Sequence, residues 1–259
     1  MGGALVTLKW RGIRSFLSII LLIAVVSLSY LFKTDSIDVY GEKYEVPIYS
    51  VNTEEKKVAI TFDINWAERD YLEGILEVLN KYNVKATFFI MGGWVDYSEE
   101  NVMKLKLIAE GGNEIGNHSY KHPNFSTISA ERMEEEVQKT NETIEKITGD
   151  KLKLFRFPSG DYNKTGCDKV RSLNLIPIQW NVDSVDWKEQ GEDIEFKRVK
   201  DKLKEGSIIL FHNNAKYTVK NLDKLLSYLE ESGYKAVTVG ELIYAENSYI
   251  DEKGIQYRK

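Results

Sequence analysis

Residues 58–64 read Val-Ala-Ile-Thr-Phe-Asp-Ile, and residues 208–212 read Ile-Ile-Leu-Phe-His. Both runs are short, rich in β-branched and aromatic residues, and almost free of the apolar–polar alternation of a strand with one wet face. Such runs are strands covered on both faces, the situation of a parallel sheet. Each carries a titratable side chain near its C-terminal end, Asp63 in the first and His212 in the second.

Outward from these two runs the pattern repeats. Strands are predicted at Val58–Ile64, Ala86–Met91, Glu114–Asn117, Leu154–Phe157, Leu175–Trp180, Ser207–Phe211 and Lys235–Val239. Helical patterns alternate with them near Arg69–Tyr82, Glu100–Ala109, Ser129–Ile147, Lys164–Ser172, Ile194–Leu203, Val219–Glu231 and Val239–Ala245. This alternation gives parallel βα units, closed as a barrel or open as a doubly wound sheet. Seven units between residues 57 and 246 fit one small α/β barrel better than two domains. The C-terminal strand ends of such a barrel converge on one mouth, where its chemistry is done. Asp63 ends the first predicted strand, His118 follows the third, and Arg156 and Pro158 close the fourth. Asp183 and Asp186 follow the fifth, and His212 follows the sixth. All three histidines of the chain are therefore expected on one rim.

Composition narrows the chemistry. The chain has 259 residues, 42% hydrophobic and 29% charged, with 4 Pro, which excludes a disordered or low-complexity protein. A single cysteine, Cys167, excludes an intramolecular disulfide scaffold and a thiolate-cage metal site. A net charge of −5 argues against nucleic acid as a partner. The acidic run Glu131–Glu136 reads as a solvated helix face. Trp66 and Trp94 follow strands at the rim, where an indole either stacks on a sugar or packs the wall.

The ends differ from the middle. Residues 1–15 hold Lys9, Arg11 and Arg14 and no acid, and the run Phe16–Phe32 is uncharged and apolar. As a helix that run spans about 26 Å, close to a bilayer's hydrocarbon thickness. It reads as a transmembrane anchor, or a secretory signal, with the N-terminus inside and the remainder extracytoplasmic. Cleavage of the signal would release the protein as a secreted form. Residues 33–56 read as a linker, with a short strand near Glu45–Val51, and residues 247–259 as a C-terminal tail.

Five short motifs occur in order: Thr61-Phe62-Asp63, His118-x-x-x-His122, Arg156-Phe157-Pro158-Ser159-Gly160, Asp183-x-x-Asp186-Trp187 and Ile209-Leu210-Phe211-His212. On a helical turn the two histidines of the second motif would face the same way and grip one metal. Together the motifs resemble those of the polysaccharide deacetylase family, the NodB-homology domain of carbohydrate esterase family four, and most of all its PdaB-type sporulation members. The resemblance spans about residues 56–245 and implies a distorted (β/α)7 barrel. It implies metal-assisted N-deacetylation of an amino-sugar polymer such as peptidoglycan or chitin. His118 and His122 would hold a divalent metal, zinc with cobalt or manganese as alternatives. Asp63 would be the base, held by Arg156, and His212 the acid, oriented by Asp186. Backbone N–H at Tyr162 would meet the oxyanion. Leu210 and Trp187 would wall the acetyl pocket, beside Pro158.

One position departs from the family pattern. The usual motif has a second Asp, a metal ligand, where this chain has Ile64. Asp63, Asn65 or water would then complete the metal shell, or the domain would bind glycan without turning it over.

Overall fold

The computed structural model describes residues 45–66 and 68–259. The strands are β1 (Ser50–Val51), β2 (Lys57–Ile64), β3 (Thr87–Ile90), β4 (Glu114–Asn117), β5 (Leu154–Phe155), β6 (Ile176–Pro177), β7 (Val182–Asp183), β8 (Ile208–His212) and β9 (Lys235–Val237). Eight of them form one sheet in the order β6-β5-β4-β3-β2-β8-β7, with β9 also on β2. Every pairing in this sheet is parallel. Ala59 pairs with Ile208 and also with Val237, so β9 takes the edge of β2 that β3 occupies further along.

The α/β class and the parallel sheet are as the sequence predicts, but the sheet is a half-barrel. Its end strands, β6 and β7, are neighbours in the chain, and residues 178–181 carry the backbone across the gap between them. The strand predicted over Leu175–Trp180 is thus shortened to β6, and β7, beyond the predicted range, forms at the opposite edge. Pro177 has no N–H to extend a ladder, and the Asn181 side chain accepts from Ile208 N–H at 2.9 Å. Ile48 fills the gap through a bridge to Ile178, and Ser50 through a bridge to Ser207.

Helices cover the outer face: α1 (Leu72–Lys81), α2 (Gly92–Val95), α3 (Glu99–Glu110), α4 (Ala130–Thr148), α5 (Lys164–Ser172), α6 (Glu192–Lys202) and α7 (Thr218–Glu231), while α8 (Val239–Leu242) packs its Val239 and Leu242 on the opposite side. Local chemistry sets their ends. Ser129 accepts from Arg132 N–H to cap α4, and Gly149 at φ 80 stops it. Among the described residues no helix is long and apolar enough to cross a membrane; Phe16–Phe32 lies outside them.

Strand parity sorts the two faces of the sheet. Val58, Ile60, Phe62 and Ile64 join the apolar layer that includes the helix residues Leu72, Ile75 and Val137. Ala59 points the other way, into a second cluster with Phe89, Leu154, Ile178 and Ile208. Both clusters are apolar, which is why the strands read as unbroken hydrophobic runs. Gly116 makes room in the inner cluster, since a Cβ there would lie 2.5 Å from the Phe89 ring.

Residues 247–259 hold β10 (Ser248–Ile250) and β11 (Ile255–Arg258), which join β1 in a separate three-stranded sheet. Gln256, buried in β11, accepts from Tyr244 N–H and donates to Tyr244 C=O, fixing the hairpin to the end of the α/β unit.

Candidate active site

Inward parity on β2 leads from Ala59 through Thr61 to Asp63, and the polar end of that column is the base of the site. Arg156 follows β5 and is fully buried. Its guanidinium lies 4.0 Å from the centroid of the Phe89 ring. Nη1 donates to Asp63 Oδ1 at 2.9 Å and to Thr61 Oγ1 at 2.7 Å, and Nη2 donates to the Gln179 carbonyl at 3.1 Å. Burial alone would raise the Asp63 carboxyl. His118 and the Arg156 guanidinium outweigh it and hold Asp63 below the usual carboxylate range.

His118 and His122 leave β4 together, but not on a helical turn. The segment is a tight loop with Ser119 at φ 62 and His122 at φ 59. Its backbone is held from α4, where Glu136 accepts from Tyr120 N–H at 2.8 Å and from Lys121 N–H at 2.6 Å. Glu136 is 1% exposed, so this end of the acidic run is a loop anchor rather than a solvated face. The loop sets the two imidazoles edge to face, their planes 73° apart and their centroids separated by 4.9 Å.

His118 Nδ1 lies 2.9 Å from the Arg156 carbonyl, which can only accept, so Nδ1 carries the proton. Nε2 then presents a lone pair. It is buried, without a hydrogen-bond partner, and 3.4 Å from Asp63 Oδ2. Burial pushes His118 down to about 4, against the pull of Asp63, and burial also lowers His122. Two neutral imidazoles, one with an orphaned lone pair beside a carboxylate, fit a divalent cation as donors. Ile64 is fully buried in the outer apolar layer, and among the described residues no group of three His, Cys, Asp or Glu is arranged to hold a metal.

The facing wall is fully partnered. Asp186 is buried and accepts from His212 N–H at 2.8 Å, from Thr218 Oγ1 at 2.7 Å and from His212 Nδ1 at 2.7 Å. Nδ1 therefore carries a proton, and Nε2 is left for the cavity. Burial would lower His212, but the Asp186 hydrogen bond and charge, with Asp63 and Asp183, raise it above the ordinary value.

Between these walls lies a cavity of about 340 Å³ lined by Asp63, His122, Trp187, Leu210 and His212, with Asn65, Ser159, Trp180 and Asp183 completing it. Six of the ten residues singled out from the sequence meet around one space: Asp63, His122, Trp187, Leu210 and His212 on its surface, and Asp186 hydrogen-bonded directly behind. Arg156 and His118 contact Asp63 from beneath. Pro158 is buried at the start of a 3-10 turn, and the Tyr162 side chain turns aside, its ring on Phe157 and its hydroxyl 2.9 Å from that of Tyr49. Ser159 and Trp180 are lining residues that the sequence did not single out. Ser159 reaches the cavity from a left-handed backbone, φ 55, and Val185, behind Asp186, sits at φ 54. For a β-branched residue that conformation costs roughly 1–3 kcal/mol, and the Asp183 carboxylate offsets part of it by accepting from Val185 N–H at 2.7 Å.

A family model described as polysaccharide deacetylase matches residues 50–178. The Bacillus subtilis protein YlxY is 39% identical over 197 residues, covering 76% of this chain but only 60% of YlxY. The peptidoglycan-N-acetylmuramic acid deacetylase PdaA of Bacillus subtilis is 31% identical over 207 residues, covering 78% of this chain and 77% of PdaA. Among solved structures, BA3943 of Bacillus anthracis, described as a CE4 family pseudoenzyme, superposes with a TM-score of 0.72 at 37% identity, over 78% of this chain and 70% of that one. A BA3943 mutant with restored enzymatic activity superposes equally well, with a TM-score of 0.72.

Proposed function

The chain belongs to the polysaccharide deacetylase family, and on that premise we propose that it removes N-acetyl groups from an amino-sugar polymer, cell-wall or spore-wall peptidoglycan or a chitin-like glycan, releasing acetate. The observation that carries this reading is the pair of opposed proton carriers on one cavity: Asp63 held by Arg156, and His212 held by Asp186. Their environments push them apart, one toward the carboxylate and the other toward the imidazolium, as a base and an acid require.

In this reading the acetamido group enters between Leu210 and Trp187. Asp63 takes the proton of the attacking water. Arg156 holds its Oδ1, which leaves Oδ2 on the cavity side. Backbone N–H at Tyr162 meets the developing oxyanion. His212 gives its Nε2 proton to the departing nitrogen while Asp186 fixes the ring and favours its charged form. His118 and His122 would hold a divalent cation, zinc with cobalt or manganese as alternatives, which when bound would supply Lewis acidity for the hydrolysis. The setting is extracytoplasmic, with the basic residues and the Phe16–Phe32 run as a membrane tether.

A second reading has its own observation. Ile64 stands where the family has a ligand, is buried in apolar packing, and the chain is similar to a structure described as a pseudoenzyme. On that reading the barrel binds glycan without hydrolysing it. One assay separates the two: acetate release by the full chain from peptidoglycan fragments and N-acetylglucosamine oligomers, with zinc, cobalt, manganese or EDTA. Metal-dependent release is expected. Saturable glycan binding with no release under any metal overturns the enzyme in favour of the binding protein.

A further inference from the structure

A second cavity, of about 660 Å³, has no part in the chemistry above. Its walls include Trp66, Trp94 and Tyr97, with Glu68, Glu100 and Lys104 among its polar residues. The two cavities are joined by the chain itself, because Asn65 lines the catalytic one and Trp66 the other. Trp94 is buried wall, but Trp66 is 45% and Tyr97 74% exposed. Their rings meet edge to face, 5.2 Å apart at 82°. That corner leaves large apolar faces in water beside carboxylates and an ammonium group.

The corner is built, not incidental. The Trp66 ring lies against the bare backbone of Gly93, where an added Cβ would be 3.2 Å away. The strand-end loop is tied down by Asn213, the neighbour of His212. Asn213 Oδ1 accepts from Asn65 N–H at 3.0 Å and its Nδ2 donates to Asp70 Oδ1 at 3.1 Å. Lys104 Nζ pairs with the other Asp70 oxygen at 3.2 Å. The aromatic corner and the imidazole of the catalytic cavity therefore rest on one support.

A polymer with an internal sugar in the catalytic cavity has to leave that cavity across its rim. The face of a pyranose offers C–H groups to an aromatic ring, and its hydroxyls and amide need hydrogen-bonding groups at the edge. The corner supplies both. Resting on the deacetylase reading, the geometry points to Trp66 and Tyr97 as a subsite that stacks a further sugar of the same N-acetylated strand, next along from the one whose acetamido group is attacked. The subsite makes the protein a reader of chain length rather than of single sugars.

The test is calorimetric titration of the full chain, in the Asp63→Asn background so that ligand is not consumed, with N-acetylglucosamine and its oligomers of two to five sugars. Affinity should rise with length, and Trp66→Ala or Tyr97→Ala should each weaken pentasaccharide binding about tenfold while leaving the single sugar unchanged. Both side chains are exposed, so either variant keeps the fold, and Tyr249→Ala, on the separate small sheet, should change nothing. Length-independent binding, or variants that bind the pentasaccharide like their parent, overturns the subsite. Acetate release by the unmutated chain tests the deacetylase reading separately: its absence beside length-dependent, Trp66-dependent binding removes the enzyme and keeps the subsite.

Discussion

His118 and His212 belong to one site and titrate in opposite directions. His118 is buried with its Nδ1 proton spent on a carbonyl and its Nε2 unpartnered, and burial takes it down to about 4. His212 is also deeply placed, yet Asp186 raises it. Burial is common to both. What differs is the partner: a carbonyl dipole on one side, a carboxylate on the other. The result is one imidazole kept as a lone-pair donor and one kept as a proton donor. The His212 wall is complete in itself, whereas His118 keeps a buried Nε2 without a hydrogen-bond partner.

The largest expected effect falls between the two walls. Asp63→Asn removes the base and should cut acetate release by about 10²–10⁴-fold under any metal. Release that survives the change would move the base elsewhere and leave the comparison without its centre. Ile64→Asp tests the missing ligand. A carboxylate in that apolar layer costs several kcal/mol when unpaired, so the metal-free melting temperature should fall by about 10 °C. Zinc should recover more of that loss than it adds to the wild type. Equal zinc shifts in the two proteins would show that position 64 does not reach the metal.

The His118 side also predicts a pH dependence of stability. Unfolded, this imidazole takes a proton near its ordinary value of 6.5; folded, it does so only at about 4. Between those values the unfolded chain binds more protons, so stability falls as pH falls, by about 3 kcal/mol from this group. Denaturant titrations at pH 7, 5.5 and 4 should show the slope, and His118→Gln should flatten it. For His212 the sign is the reverse in activity: its proton is needed, and release is lost as pH rises through the raised value. Asp186→Asn should lower release about 100-fold and move the alkaline limb of the rate profile toward acid. A limb that stays in place would mean that His212 is not the acid.

Much of this was legible in the strand runs, for a physical reason. Side chains alternate along a strand, and the polar residues that interrupt the apolar runs at the strand ends, Asp63 and His212, sit on the inward side by parity alone. Arg156 follows the same rule one residue beyond β5. What was not legible came from backbone shape and distant packing. The spacing of His118 and His122 suits a helical turn, but a left-handed loop anchored by buried Glu136 does the work instead. Ser159 and Trp180 enter the cavity through a strained turn and the chain crossing between β6 and β7, neither of which has a periodic signature. The hairpin of β10 and β11 depends on pairing with β1, 205 residues away in the chain, which local propensity does not encode.

The smallest effect concerns Trp187 and Leu210, residues of the same cavity with opposite burial. Leu210 is 2% exposed and lines the catalytic cavity, so Leu210→Ala enlarges that cavity and should destabilise by roughly 2–5 kcal/mol, mixing packing with function. Trp187 is 58% exposed, with Lys188 Nζ at 4.9 Å from its ring centroid. Trp187→Ala should leave the melting temperature within about 2 °C and raise KM about fivefold at unchanged kcat, because an aromatic wall holds sugar and transition state alike. A fall in kcat at constant KM would instead place the indole in contact with charge that develops only during reaction, on the His212 side of the divide.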